Sequence, residues 1–345
     1  MIMKEKHHIR WKLIIFSLFL MISIAVSLNI GRYPISLPEM ISLVKNALNP
    51  FFEVHADGSG TIINVFFSIR LPRIILAVII GAALGASGTV FQGIFKNPLA
   101  SPDILGVSSG CSFGAALGII MPSLFPFQIQ VCAFVFGIAA MCLVYVLAHA
   151  SKGDRVIMLV LAGMIVSALF CAGLSIIKYT ADPLSKLPSI VFWTMGSLNK
   201  ALWSYIVPVV IICIPCLIAL NVLSWKLNIL ALGTEDAKSL GINVVLMRNS
   251  LIAVNTLLIA SCTSISGTIA WVGLIIPHIS RIIIGHDHRY AIPMSMLCGG
   301  IFILWMDNIA RGLFTYEIPI GILTALLGAP FFAYLLVRGK GTTWR

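Results

Sequence analysis

Charged side chains are the scarcest class in this chain: Asp, Glu, Lys and Arg make up 10% of its 345 residues, where a soluble globular domain carries about 25%. That shortage excludes a water-soluble fold. Also missing is the phosphate-cradling Gly-x-x-x-x-Gly-Lys-Ser/Thr sequence, so the chain does not hydrolyse ATP by itself. His-Glu-x-x-His is absent too; the nearest cluster, His286-Asp287-His288 beside Arg289, reads as a solvated turn and not as a metal site. The eight Cys residues lie in apolar segments. Cys213 and Cys216 have redox-like spacing, but without polar neighbours or a His partner they read as small buried hydrophobes, neither disulfide nor metal ligands. No Ser/His/Asp constellation emerges, and the chain is not expected to be an enzyme.

What is present is apolar sequence. Hydrophobic residues make up 59% of the chain, and its mean hydropathy is +1.03. A bilayer span needs roughly 20 mostly apolar residues, and ten segments qualify, at 13–30, 74–95, 105–121, 127–148, 156–177, 203–223, 244–264, 270–284, 292–310 and 319–337. The expected fold is an all-α polytopic membrane protein, one transmembrane domain over residues 1–345, with short interfacial and cytoplasmic helices. Only Arg248, Arg281 and Asp307 are charged within the ten segments. The formal charge of +11 does not indicate nucleic acid, because Lys and Arg lie singly in short loops. It follows membrane topology instead, since basic residues concentrate on the cytoplasmic side. With the N-terminus inside, eight of the 23 basic residues fall outside: Arg32, Lys45, Arg70, Arg73, Lys178, Lys186, Lys200 and Arg311. The other fifteen fall inside, which favours an even number of spans and two cytoplasmic termini. Residues 4–28 have the outline of a secretory signal, but Ala25-Val26-Ser27 is a weak cleavage match and an uncleaved first span is the better reading.

Small residues recur at helix-packing spacing in Gly81-x-x-x-Gly85, Gly88 and Gly114-x-x-x-Gly118, which indicates tight packing and no particular activity. Three loops are more specific. In 95–103 the prolines Pro98 and Pro102 force a turn at a fixed place. Within 178–200, the stretch 183–193 is too short to span and apolar enough to form a re-entrant or interfacial helix. In 227–241, Thr234 can cap a short helix with Glu235 and Asp236 in its first turn, and Gly241 can end it. A helix that short needs a surface to pack on, supplied either by its own bundle or by a cytoplasmic partner. An ion-coupled secondary carrier is the rival class. Such carriers place ionisable groups at mid-membrane depth, whereas Asp307 is the one plausible acid here and an i,i+4 pair with Arg311 accounts for it.

Three blocks of sequence together resemble the permeases of the iron-siderophore, haem and cobalamin ABC importers. The first is Ile69-Arg70-Leu71-Pro72-Arg73, followed by Gln92-Gly93-Ile94-Phe95-Lys96-Asn97-Pro98-Leu99-Ala100-Ser101-Pro102 and Leu105-Gly106-Val107. The second is the loop from Leu232-Gly233 through Ala237 to Leu240-Gly241. The third runs from Trp271-Val272-Gly273 and Pro277-His278 through Asp287-His288-Arg289, Asp307 and Ala310-Arg311 to Glu317-Ile318-Pro319-Ile320-Gly321. The resemblance implies a homodimer with its path on the two-fold axis, two separate ATP-binding subunits and one substrate-binding protein, periplasmic or lipid-anchored. It places the chain in the cytoplasmic membrane of a bacterium or archaeon, with no cofactor of its own and with ATP and Mg on the partner ATPase. It assigns Gly233, Thr234, Glu235, Ala237, Leu240 and Gly241 to ATPase coupling, Arg70, Arg73 and Arg311 to docking of the binding protein, and Asn97 and Leu99 to a cytoplasmic gate. Polar residues form the other half of that gate in the cobalamin permease, where this chain has Val156-Ile157. The expected cargo is a metal chelate, a ferric siderophore by family frequency, with haem, cobalamin or an oxyanion as alternatives.

Overall fold

A lipid-embedded chain must satisfy every backbone polar group internally, and this one does so with helices. The computed structural model describes residues 2–31, 33, 38–39, 59–312 and 316–338; Arg32, Lys45, Lys340 and Arg345 of the charge pattern lie outside these. The helices are α1 Ile2–Asn29, α2 Ser59–Asn64, α3 Leu71–Phe95, α4 Val107–Ile120, α5 Gln128–Ala150, α6 Arg155–Thr180 and α7 Lys186–Thr194. They continue with α8 Trp203–Leu232, α9 Thr234–Ser239, α10 Val244–Ser266, α11 Val272–Ile284, α12 His288–Gly312 and α13 Ile320–Arg338. A π-helical turn, Val65–Arg70, joins α2 to α3, and a 3-10 turn, Pro102–Leu105, precedes α4. No strand occurs among the described residues.

Seven of these helices are long and apolar enough to cross a membrane, and α4, α11 and α13 are shorter apolar helices, so each of the ten apolar segments is helical. With 14 and 13 residues, α4 and α11 each rise about 20 Å, short of a hydrocarbon core of about 30 Å. The chain breaks helix before both: at Gly106, left-handed with φ 75°, and at Trp271, left-handed with φ 72°. The interfacial helix expected over 183–193 starts at Lys186 instead, because Asp182 organises its entry: Ser185 N–H donates to Asp182 Oδ2 (2.9 Å) and Leu187 N–H to the Asp182 carbonyl (2.9 Å).

α3 is the central element. Residues along its span are 83% buried, against 11% for α1 and 28% for α6 and α8. The peripheral helices turn Leu18, Ile22, Leu169, Ile176, Ile218 and Val222 outward, as a lipid-facing surface requires. With lipid tails as apolar as Leu, helices associate through close packing, and small residues permit it. α3 packs most extensively against α12. A Cβ on Gly81 would fall 2.1 Å from the Gly299 carbonyl oxygen, and one on Gly85 would fall 2.4 Å from that of Ser295. Gly88 meets the Gly273 carbonyl of α11 at 1.9 Å in the same sense. The Thr89 and Ser295 hydroxyls share a hydrogen bond of 2.7 Å, so these two polar groups satisfy each other across the seam. The glycines of α4 serve α5: a Cβ on Gly114 would lie 2.3 Å from the Cys132 carbonyl oxygen.

Two ends of the bundle follow from helix direction. The terminal end carries the start of α1, where Lys12 Nζ donates to the Ile283 carbonyl (2.6 Å), together with α9 and the 95–103 loop. The distal end carries the ends of α1 and α12 and the start of α8, where the Trp203 indole donates to the Phe67 carbonyl (2.8 Å). Replacing Gly81 with Leu sets a side chain against backbone that cannot yield, and overpacking of this kind costs about 1–3 kcal/mol or more. The expected result is a clear drop in melting temperature of the detergent-purified protein; a melt equal to the parent's would show that the seam is not close-packed.

Candidate functional site

At the distal end the bundle buries charge. Arg73 is 7% exposed; its Nε donates to Asp307 Oδ1 (2.9 Å) and its Nη1 to both Glu317 oxygens (3.1 and 3.0 Å). Arg311, also 7% exposed, lies one helical turn from Asp307 with Nε 3.4 Å from Oδ2, an ion pair without a hydrogen bond. Its Nη2 donates to the Ser27 carbonyl (2.9 Å), the Ser27 hydroxyl (2.7 Å) and Asn308 Oδ1 (2.6 Å). Arg70 donates to the backbone carbonyls of Leu28 and Tyr33. Of the three arginines expected at a docking surface, Arg73 and Arg311 therefore share one network through Asp307, and Arg70 lies within electrostatic reach of it with its guanidinium on backbone carbonyls; all three are buried. The Asp307–Arg311 pair was legible as an i,i+4 spacing. Glu317 appeared only inside a motif, and Ser27 had no signal, because the contact joins the first span to the penultimate one.

At the terminal end, α9 turns one side chain into the bundle among its described residues. Ala237 is fully buried, while Leu232 (65% exposed), Leu240 (60%) and Leu246 (65%) stand outward around it. The Glu235–Lys238 pair (3.0 Å) is exposed on the same short helix. The helix begins differently from the expectation: Gly233 is the N-cap residue, with φ 152°, and Thr234 is the first helical position, so Thr234 does not cap. Gly241 ends it as expected. Left-handed at φ 77°, it lets Gly241 N–H reach the Lys238 carbonyl (2.9 Å) and Ile242 N–H the Ala237 carbonyl (3.0 Å), a Schellman closure.

The 95–103 loop is also built. Lys96 is left-handed at φ 49°, and Asn97 Oδ1 accepts from Leu99 N–H (2.9 Å), fixing the turn. Asn97 and Leu99 are exposed, and so is Ile157, whose N–H and that of Val156 donate to Asp154 at the start of α6. The turn at 286–289 is more than a solvated one: Asn228 of α8 donates to Asp287 Oδ1 (2.7 Å) and accepts from His288 N–H (2.9 Å). Burial alone would raise the Asp287 carboxyl, but hydrogen bonds from Arg289 and Asn228 outweigh it and hold it at about 2. The clamp is thus complete at neutral pH, and its contribution is lost as pH falls through the ordinary carboxylate range toward about 2. No group of three or more His, Cys, Asp or Glu that could hold a metal occurs among the described residues. All eight cysteines are free, and the near neighbour of Cys213 is Cys262 on α10, at 3.6 Å between sulfurs, not Cys216.

A bundle of ten apolar helices, with a short exposed helix at one end, defines a polytopic α-helical membrane protein. The chain belongs to the FecCD transport family, whose model matches residues 19–338. It is 41% identical over 327 residues to the molybdate import system permease protein MolB of Haemophilus influenzae, covering 94% of each chain. It is 37% identical over 283 residues to the hemin transport system permease protein HmuU of Yersinia pestis, covering 80% of this chain and 84% of that one. Among solved structures, a metal-chelate type ABC transporter in an inward-facing conformation superposes with a TM-score of 0.82 at 39% identity, covering 96% of this chain and 99% of that one.

Removing one partner of a buried ion pair leaves an uncompensated charge and costs about 3–5 kcal/mol. Asp307→Ala strands two guanidiniums and is expected to unfold the distal end, read as a large fall in thermal stability. Asp307→Asn, which keeps a hydrogen-bond acceptor, is expected to lose less; equal loss in both, or none in either, would remove the network from the fold's supports.

Proposed function

We propose that this chain is the membrane subunit of an ATP-driven importer that works as a homodimer with two ATP-binding subunits and one substrate-binding protein, moving a metal chelate into the cell across the cytoplasmic membrane. The observation that carries the reading is α9, a six-residue helix whose one buried side chain among the described residues is Ala237, with the exposed Leu232 and Leu240 flanking it in the chain. So short a helix is not stable in isolation, and an apolar rim on a charged helix is a surface made for a partner protein. Coupling falls to Gly233, Thr234, Glu235, Leu240 and Gly241 on this surface, with Ala237 as its internal anchor. This chain needs no cofactor of its own, with ATP and Mg on the partner. The charge count supports cytoplasmic termini, which puts α9 on the ATP side and the arginine network outside.

An apolar groove of about 630 Å³, walled by α13 and residues 268–270, supports a second copy as its cover. Asn97 and Leu99, exposed on a fixed turn at the terminal end, are the proposed inner gate, with Ile157 as its apolar counterpart. Docking of the binding protein falls to the arginine cluster, where three cations face two acids and keep one positive charge in excess. For the cargo, relatives named for hemin and for a metal chelate support a ferric chelate; molybdate is the second reading, favoured by 41% identity across 94% of both chains.

The test is accumulation of radiolabelled ferric chelates, haem and molybdate in cells lacking this chain, with the parent sequence or Leu240→Asp restored. The parent is expected to restore uptake of one cargo and Leu240→Asp to abolish it, with the ATPase no longer co-purifying; an ATPase still tightly bound to the variant would sink the coupling assignment. Glu317→Gln, at a side chain 28% exposed, removes one of the acids opposing the arginines. It is expected to tighten docking of the binding protein several-fold at low salt, and unchanged docking would count against an electrostatic role for the cluster.

A further inference from the structure

A second cavity at the distal end is separate from the arginine network and from every coupling, gating and docking residue above. It has a volume of about 940 Å³ and lies among the end of α4, the loop at 121–127, the start of α5, α7 and the loop at 197–200. Its walls are braced. The Gln128 amide donates to the Gly118 carbonyl (3.0 Å) and its oxygen accepts from Leu124 N–H (2.8 Å), so one side chain ties the loop to two helices. Phe127 holds a left-handed backbone, φ 62°, unusual for a residue with a side chain, and packs edge-on against Tyr205 at 4.8 Å. Lys186 Nζ donates to the Ile119 carbonyl (2.8 Å), which draws α7 onto α4 and leaves the ammonium two further N–H groups.

Among the described residues the lining is rich in donors and has no carboxylate. Lys186 and Lys200 both contribute to it, with Ser123, Ser189 and Asn199 between them. Among the described residues Asp182 is outside the lining; it accepts from the Ser185 N–H and hydroxyl and lies within electrostatic reach of Lys186. Trp193, 8% exposed, forms part of the wall, and its indole N–H has no acceptor among the described residues. Two ammonium groups in a lining that holds no carboxylate among the described residues favour an anion, since neither can accept a hydrogen bond, and Lys200 lacks even the Asp182 neighbour that Lys186 has. Phe125, Phe127 and Phe192 add aromatic surface to the same wall, and aromatic rings collect where a membrane protein meets the head-group layer.

We propose that this cavity is a binding site for a phosphate-type anionic group, presented by a phospholipid head group, with a free oxyanion as the other source of the same chemistry. The volume favours the lipid: it lies near the top of the range of about 300–1,000 Å³ typical of whole small-molecule ligands and far exceeds what one tetrahedral anion fills. The inference needs a membrane-spanning chain and does not depend on the import reading.

The full-length protein, purified in a mild detergent, is incubated with phosphatidylglycerol or phosphatidylcholine, and retained lipid is counted by native mass spectrometry. Inorganic phosphate is titrated separately by calorimetry. Phosphatidylglycerol is expected to be retained over phosphatidylcholine, and Lys200→Gln to weaken that preference roughly fivefold, as a basic residue near a membrane surface does. Lys200→Arg is expected to restore it. Lys200 is exposed, so these variants leave the bundle intact, and adding Lys186→Gln to Lys200→Gln is expected to remove the preference. Phosphate binding that depends on Lys200, without lipid selectivity, would keep the anion site and assign it to a free oxyanion. Equal retention of both lipids with no phosphate binding, or a phosphatidylglycerol preference unaffected by Lys200→Gln and by the double variant, would overturn the proposal.

Discussion

The antiparallel contact of α3 with α12 is the constraint on which the rest of the molecule depends. Gly81 meets Gly299 and Gly85 meets Ser295, so each step of four residues along α3 is matched by a step of four back along α12. That register carries Arg73 to Asp307 at one end and Gly93 to His288 at the other. Shift the contact by one residue and the ion pair at the distal end and the close approach of Gly93 to His288 at the terminal end are both lost. Small residues are what allow it, because in lipid the gain comes from backbones packed closely and not from expelling water.

From this seam the two ends acquire different characters. The distal end is a buried, over-cationic network that pins α1 to α12 through Ser27 and Asn308. Burying such charges carries a desolvation cost that is offset where hydrogen bonds saturate the guanidiniums; here Arg73 donates through Nε and Nη1 and Arg311 through Nη2, while Arg311 Nε keeps only its ion pair with Asp307. The terminal end is the reverse: its helices stop at turns fixed by Asn97, Gly241 and Asp287, and apolar side chains stand outward between them. One end is stiffened from within, and the other leaves apolar side chains standing outward.

The distal network also changes how its arginines are to be understood. A basic residue at the end of a span looks, in a linear sequence, like a group pointing into water. Here helix ends converge, and the backbone carbonyls of Leu28, Tyr33 and Ser27 together with two carboxylates take up the guanidinium donors. Electrostatics at this surface come from the excess charge of the whole cluster, with Glu317 as the exposed member that sets its balance.

The sequence by itself determined the fold class, the positions of the ten apolar helices, the turns at Asn97 and Gly241 and the membership of the family, because hydrophobic run length, Pro, Gly and local motifs act over a few residues. It also showed the Asp307–Arg311 spacing, which is an intrahelical matter. Only the tertiary structure decided that Arg73 is shared between Asp307 and Glu317, that Ser27 joins this network from the first helix, that Cys213 lies against Cys262 and that α9 turns Ala237 into the bundle. It decided too that a braced cavity, with no carboxylate among its described lining residues, lies between α4 and α7. Each of these joins residues far apart in the chain, and such contacts depend on the register of one helix against another, which is set by where small residues let backbones meet and is not written in any local run.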